Sequence, residues 1–347
     1  MAADRSSAAP RKSGRGPARA ARRALLVALA LVLLGPLGAA AQGKKVKIGV
    51  LKLSSSAPIF LGVERGTFRE FGIEPELVYF QAAQPVAVAI AAGEVEVGAT
   101  GLTAGLYNVV AGGEKIWVVA DKGREWPGYP LTALVVQKDG PVRSIRDLKG
   151  RKVGITQLGS TFHYMLGNLL EQEGLTLTDV EPAPLRTLGA MAEALQARRV
   201  DAILIPQPFA GTAVENGSGH ILFWVGDKLP YQVAAIFYSK TFARDRERAV
   251  AFMKGYVKAA RLFFDATFAK KGGWEEVVDV TARYTGATPE VIRVGFPYQD
   301  RDGRLDVTDI GRQLTWYHKA GMITAPLQTR DLVDGSFLEE ALRALPR

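Results

Sequence analysis

A strand–loop–helix pattern occurs twice in this chain, and the two copies are separated by a constant offset of 105 residues. The first copy begins with the apolar run 46–51 and the second with the run 151–156. The residues matched at this offset are Ile48 with Val153, Ser55 with Ser160, Ser56 with Thr161, and Val95 with Val200. Strands that alternate with helices favour an α/β fold with a largely parallel sheet. The repetition predicts two lobes built on one plan.

Two further apolar runs, 131–137 and 232–238, border the second copy and are predicted to cross between the lobes. The second lobe is then an insertion, residues 134–230, within a discontinuous first lobe. That first lobe consists of residues 42–133 and 231–347, and it ends in helices. The clearest of these helices is predicted at 246–268, where apolar residues recur at spacings of three and four.

The N-terminus has the three parts of a secretory signal peptide. Seven of the 44 basic residues but one of the 35 acidic residues lie in 1–23. The apolar run 24–34 follows, then Gly35-Pro36 and the small residues that end at Ala41. This run is shorter than the roughly 20 residues of a membrane anchor, so we expect residues 1–41 to be removed near Ala41. Because of the pair Arg22-Arg23, export by the twin-arginine route and export by the Sec route both stay open.

Most of the positive charge leaves with that segment, because the net charge of +9 falls to +3 without it. The remaining balance lacks the electrostatic footprint of a nucleic-acid-binding protein. The chain contains no cysteine, which excludes disulfides, a thiol nucleophile and a lipid attached to cysteine. Its three histidines show no metal-ligand spacing. We therefore expect an untethered periplasmic monomer with no metal, no cofactor and no nucleic-acid partner.

The mature sequence resembles the substrate-binding proteins of ABC importers, of the nitrate/sulfonate/taurine type, which share their fold with thiamine-pyrimidine-synthase-like proteins. The segments that carry the resemblance are 47–50, 57–75, 91–98, 147–155, 159–163 and 195–203. The resemblance implies the α/β fold of a type II periplasmic binding protein, with a ligand cleft between lobes joined by two crossover strands. It also implies a small-molecule ligand, a permease partner in the inner membrane, and no enzymatic activity.

The hydroxyl-rich loops are the first candidates for ligand contact. Each follows the carboxyl end of a strand and precedes a helix, where free backbone N–H groups favour an anion and where open α/β sheets bind ligands. The candidates are Ser54, Ser55 and Ser56 from lobe 1 and Gln157, Ser160 and Thr161 from lobe 2. The alternative is that these side chains only cap helices.

Other candidates follow later strands. The resemblance implies cleft contacts at Thr100 and Gly101 and at Gln207. For Gln207 the alternative is that the prolines on either side only stiffen the loop. Gln81 follows a strand end as well, where a solvated loop residue is the alternative. His163 is either a ligand contact, as is common in the resembling family, or a helix-packing residue.

Aromatic side chains near the predicted crossovers, Trp126 and Tyr231, are candidates for the walls of the cleft. Lys122 and Arg124 could neutralise an acidic ligand, but solvated surface positions are the more common outcome for such residues.

Together these features predict the capture of a small organic anion, a sulfonate, carboxylate or related compound, aromatic ones included. Two alternatives stay open. One is an enzyme of the pyrimidine-synthase type on the same fold, against which the missing cysteines count. The other is a ligand-sensing partner of a membrane receptor.

Overall fold

The computed structural model describes residues 43–114 and 116–346, together with residue 9. The predicted signal peptide, residues 1–41, lies outside this described part apart from residue 9. Residues 43–346 belong to one compact unit. No helix in the described part of the chain is both long enough and apolar enough to span a membrane.

Ten strands form two five-stranded sheets in the described residues. In chain order the strands are β1 Lys44–Val50, β2 Ile73–Tyr79, β3 Val97–Gly101, β4 Ile116–Glu125, β5 Thr132–Gln137, β6 Lys152–Ile155, β7 Glu181–Pro184, β8 Ala202–Pro206, β9 Gly219–Trp224 and β10 Tyr231–Ser239. The first sheet has the order β2-β1-β3-β10-β4, and the second has the order β7-β6-β8-β5-β9. We call the first sheet with its helices lobe 1 and the second sheet with its helices lobe 2.

The strand register preserves the offset of 105 residues. Ile48 pairs with Leu77 on one side and with Val97 on the other. Val153 pairs with Pro182 and with Ala202 in the same way. Every partner in lobe 2 is therefore shifted by 105 residues from its counterpart in lobe 1, which confirms that the two lobes share one plan.

The sheets are mixed but largely parallel, as predicted, because four of the five strands in each sheet run in one direction and the fifth runs against them. β10 is antiparallel to β3 and β4, and β5 is antiparallel to β8 and β9. These two strands are the runs predicted to cross between the lobes, and each lies inside a sheet beside a connection, 126–131 or 225–230. Each of these strands follows a crossing from the other lobe, β5 on the way into lobe 2 and β10 on the way back to lobe 1, and each runs against the other strands of its sheet. The lobe boundaries at 134 and 230 stay predictions.

Twelve α-helices of the described residues cover the sheets. They are α1 Ala57–Glu64, α2 Gln84–Ala91, α3 Ala104–Ala111, α4 Thr161–Gln172, α5 Leu188–Gln196, α6 Phe209–Glu215, α7 Lys240–Arg244, α8 Arg246–Thr267, α9 Trp274–Thr285, α10 Pro289–Arg293, α11 Val307–Lys319 and α12 Ser336–Ala344. The predicted C-terminal helices are confirmed, with α8 ending one residue before the expected position. All nine residues of β10 are buried, since a strand lies on each side of it and helices cover the sheet.

Candidate functional site

A small enclosed cavity of about 40 Å³ lies between the two lobes, at the carboxyl ends of their strands. Lobe 1 contributes Leu53, which follows β1, and Gly101 at the end of β3. Lobe 2 contributes Thr156, which follows β6, and Pro206 at the end of β8. This is the edge at which α/β sheets bind ligands.

Backbone hydrogen bonds close the lobes over the cavity. The N–H of Ala104, at the start of α3, donates to the carbonyl of Gly159 at 2.9 Å. The N–H of Ser54 donates to the carbonyl of Gln207 at 3.1 Å. The N–H of Leu188, at the start of α5, donates to the carbonyl of Gln81 at 3.4 Å. Each lobe therefore offers helix or loop N–H groups that the other lobe satisfies in the closed form.

Glycine makes the closest approach between the lobes possible. A Cβ atom added at Gly101 would lie 2.7 Å from the Cγ2 methyl of Thr161, across the cavity edge. One added at Gly159, where φ is +75°, would lie 2.9 Å from the Cβ of Ala104. Real Cβ contacts are longer than either distance, so the lobes can close this tightly only because both positions are glycine and lack a side chain.

The cavity wall is mostly aliphatic, with hydroxyls arranged around it. The hydroxyl-bearing residues of the wall are Ser55, Thr100, Thr132, Thr156, Ser160 and Thr161. Gln84 also lines the cavity, and its Oε1 atom is buried without a hydrogen-bond partner. Such a wall, largely apolar with a few placed polar groups, is typical of a small-molecule site.

Lys122 is the one charged residue among those that line the cavity. It lies near the end of β4 and is 1% exposed. Its Nζ donates a hydrogen bond to the Oγ of Ser55 at 2.8 Å. Burial lowers the pKa of Lys122 to about 7, an effect that the neighbouring Asp121 partly offsets. The sequence-based preference for a solvated surface lysine is wrong, since β4 continues to Glu125 and is covered on both faces.

Asp121 does not form the counter-ion of Lys122. Its carboxylate accepts hydrogen bonds from the side chain of Gln232 and from the N–H groups of Gly123 and Asp300, at 2.6, 2.9 and 2.7 Å. It also pairs with Arg124 at 3.6 Å. The negative charge of Asp121 is thus held within lobe 1, away from the cavity wall.

Five of the residues predicted from the sequence lie together on the cavity wall: Ser55, Thr100, Gly101, Ser160 and Thr161. Ser55 and Ser160 are equivalent positions of the repeat, and they face the cavity from opposite lobes. Ser160 is also the N-cap of α4, since its Oγ accepts a hydrogen bond from the N–H of His163 at 3.2 Å. Contact of these residues with a ligand stays a prediction.

Three other predicted residues, Ser54, Ser56 and Gln207, are buried beside the cavity but are not part of its wall. The Oγ of Ser56 donates to the carbonyl of Leu51 at 2.9 Å and so shapes the loop after β1. The Oε1 of Gln207 accepts from the N–H of Gly211 at 2.9 Å. The Oγ of Ser54 and the Nε2 of Gln207 have no hydrogen-bond partner. Two orphaned polar atoms therefore remain where the lobes meet.

The structure does not place Gln81, Gln157 or His163 on the cavity wall. The side chain of Gln81 is exposed, and that of Gln157 is half-buried. His163 is buried, and its Nδ1 accepts a hydrogen bond from the N–H of Gly159 at 3.1 Å. Burial lowers the pKa of His163 to about 4, so its ring is neutral at pH 7 and fixes the loop before α4. This geometry is that of the helix-packing alternative.

The aromatic candidates Trp126 and Tyr231 also lie off the cavity wall. Trp126 is 41% exposed and stacks on Tyr298, with ring centroids 5.5 Å apart. Tyr231 is buried at the start of β10, where its ring packs against Tyr164. Trp126 is the first residue of the connection 126–131, and Tyr231 directly follows the connection 225–230, so both lie at the connections and not on the cavity wall.

A buried carboxyl group lies between these two connections. Glu125, the last residue of β4, is fully buried, and neither carboxylate oxygen makes a well-formed hydrogen bond. Burial raises the pKa of Glu125 to about 8, although interactions with Thr132 and the N–H of Gly226 partly stabilise its charge. Its partner across the strand pair is Tyr231, whose hydroxyl has no hydrogen-bond partner. No sequence pattern distinguished this residue.

Comparison with protein families gives one match that covers most of the chain. The model of the NMT1-like family matches residues 39–272. An Escherichia coli (strain K12) protein, provisionally named an aliphatic sulfonates-binding protein, is 29% identical over 217 residues. That alignment covers 62% of this chain and 63% of the relative, so the match spans less than two thirds of the relative's length.

Comparison with solved structures places the same fold in several proteins. The alkanesulfonate-binding protein SsuA from Xanthomonas axonopodis pv. citri, solved with bound MOPS, is 19% identical with a TM-score of 0.69. The alignment covers 84% of this chain and 98% of SsuA. The desulfurization enzyme DszB is 17% identical with a TM-score of 0.59, and the alignment covers 87% and 99% of the two chains. The fold, that of type II periplasmic binding proteins, thus occurs in binding proteins and in an enzyme.

Proposed function

The chain belongs to the NMT1-like family, and on that premise we propose that it is the periplasmic solute-binding component of an ABC importer. It captures a small organic anion between its two lobes and delivers the anion to a permease in the inner membrane. The observation that carries the proposal is the enclosed cavity, which both lobes line with hydroxyls and which contains the buried cation of Lys122.

The relatives support the class of ligand. The Escherichia coli relative is named for aliphatic sulfonates, and the SsuA structure contains MOPS, which carries a sulfonate. Hydroxyl groups and an ammonium group suit a sulfonate, a carboxylate or a related anion, because all of these accept hydrogen bonds and carry negative charge. Aromatic anions remain within the proposal.

The proposal includes three further parts. The protein binds its ligand without chemical change, it acts in the periplasm, and the closed form docks on the permease. The hydrogen bonds between the lobes support closure of the cleft, which precedes docking. The N–H groups of Ala104, Ser54 and Leu188 can form these bonds only when the cleft is closed. A ligand-sensing role would use the same closure but a receptor in place of the permease.

A thermal-shift screen of the purified protein tests the proposal. The panel contains sulfonates, carboxylates, aromatic acids, nitrate and uncharged analogues of matched size. A ligand at 100 times its dissociation constant stabilises the folded state by about 2.7 kcal/mol. We expect stabilisation by at least one organic anion, and nuclear magnetic resonance should show that anion unchanged after prolonged incubation. Stabilisation only by uncharged compounds contradicts the anion part, and steady consumption of the ligand contradicts the binding-protein part.

A further inference from the structure

Lys122 has an unusual environment for a buried cation. An ammonium group has three N–H donors, and Ser55 is the one hydrogen-bond acceptor that the described residues offer it. No described carboxylate forms an ion pair with Lys122, because Asp121 is engaged by Arg124, Gln232 and backbone N–H groups. A buried charge without a partner is strongly destabilising. The fold itself therefore gives no reason for a cation here.

A ligand provides that reason. Lys122 lines the cavity, and the donors that Ser55 leaves unused are available to a molecule within it. One negative charge on the ligand would balance the single positive charge of the wall. A second negative charge would have no partner there.

The same wall contains no group that would accept a cation. Its remaining residues are hydroxyl-bearing, aliphatic or amide-bearing residues and one phenylalanine, Phe162, and none is acidic. A ligand with an ammonium group would bury that charge without a counter-ion, which lowers its affinity. The cavity is also small, since about 40 Å³ corresponds to roughly three water sites.

We propose that Lys122, with Ser55, is the subsite for the acidic group of the ligand, and that the ligand is a compact monoanion without an ammonium group. This inference rests on the proposed function and assigns its substrate class. A short alkanesulfonate and a short carboxylate both belong to this class, and both present a charged, hydrogen-bond-accepting head to Lys122. The aliphatic residues of the wall, among them Leu131 and Val233, would contact the short apolar part.

Two sets of matched probes test the substrate class by isothermal titration calorimetry. The first set is ethanesulfonate, ethanesulfonamide and taurine, and the second is propionate, propionamide and β-alanine. Each set compares a monoanion with an uncharged analogue and with an analogue that adds an ammonium group. We expect one monoanion to bind at least about 100-fold more tightly than the other two members of its set. Equal affinity for the monoanion that binds and for its ammonium-bearing analogue, taurine or β-alanine, would overturn the inference.

The variant Lys122→Met tests the subsite. It should lose at least about 100-fold in affinity for the monoanion while keeping its affinity for the uncharged analogue, and it should unfold at no lower temperature than the wild type, because it removes an unpaired buried charge. The matched control is Lys138→Met, at an exposed turn position, which should bind like the wild type. Wild-type affinity in Lys122→Met would overturn the assignment and leave the capture function standing. If neither monoanion binds the wild type but a larger anion from the screen does, the compact class is wrong and the capture function stands; if no anion binds, both fall.

Discussion

Glu125 provides a sharp test of the described packing between the lobes. It is fully buried between the connections 126–131 and 225–230, and its pKa rises from 4.5 to about 8 because burial disfavours the charged form. A carboxyl group with a raised pKa binds an extra proton in the folded state between these two values. The free energy of unfolding of the wild type therefore decreases as the pH rises from about 4.5 to 8. Glu125→Gln keeps the size of the side chain and removes this ionisation.

The size of the effect follows from the two pKa values. Each pH unit between them costs the wild type about 1.4 kcal/mol of unfolding free energy. Relative to its value at pH 4, the stability advantage of Glu125→Gln over the wild type should grow by about 3 kcal/mol at pH 7 and by about 5 kcal/mol well above pH 8. At pH 4 the ionisation contributes nothing, because the carboxyl group is protonated in both states.

Urea unfolding followed by circular dichroism at pH 4, 7 and 8.5 measures this difference. The exposed Glu114, changed to Gln, is the control, and its difference from the wild type should not change with pH in this way. A Glu125→Gln variant whose advantage is independent of pH, or absent at pH 8.5, would show that Glu125 is hydrated in solution. The reasoning from burial would then be refuted.

Two further predictions concern the cavity. Gly101→Ala places a methyl group against the Cγ2 of Thr161, so ligand affinity measured by calorimetry should fall at least about tenfold. Adding Thr161→Ser to this variant should restore part of the affinity. Equal affinities for the single variant and the wild type would show that the lobes close less tightly than described. The second prediction concerns the charge of Lys122. The pKa of Lys122 is about 7 in the empty cavity, where Asp121 is the charged group that raises it. A bound anion should raise this pKa further. Affinity should then fall by up to about tenfold per pH unit above pH 7, and calorimetry in buffers of different ionisation enthalpy should detect proton uptake; affinity that is independent of pH between 6 and 9 would contradict this.

The sequence contained much of the fold because the repeat is local. The offset of 105 residues reappears in the register of Ile48 and Val153, and the hydroxyl loops it identified put Ser55 and Ser160 on one cavity wall. Local patterns also located the C-terminal helices, since apolar spacing along α8 depends on neighbours within the same segment.

The sequence named Lys122 as a possible partner of an acidic ligand but favoured a solvated surface position for it, because its environment is created by segments distant in sequence. Residues 121–125 read as a charged stretch after an apolar strand, which usually indicates a loop. In the structure β10 pairs along the whole of β4, and residues of both lobes close over Lys122. The antiparallel directions of β5 and β10 were missed for the same reason, since they depend on the path of the chain between lobes and not on the composition of either strand.

A crystal structure of the protein with the tightest-binding anion from the screen would show whether the anion lies between the lobes and contacts Lys122. We expect both lobes to enclose the anion, with its acidic group at hydrogen-bond distance from the Nζ of Lys122 and with hydroxyls of Ser55 and Ser160 beside it. An anion bound outside the cleft between the lobes, or within the cleft with its acidic group turned away from Lys122, would show that Lys122 is not the anion subsite of a closing cleft.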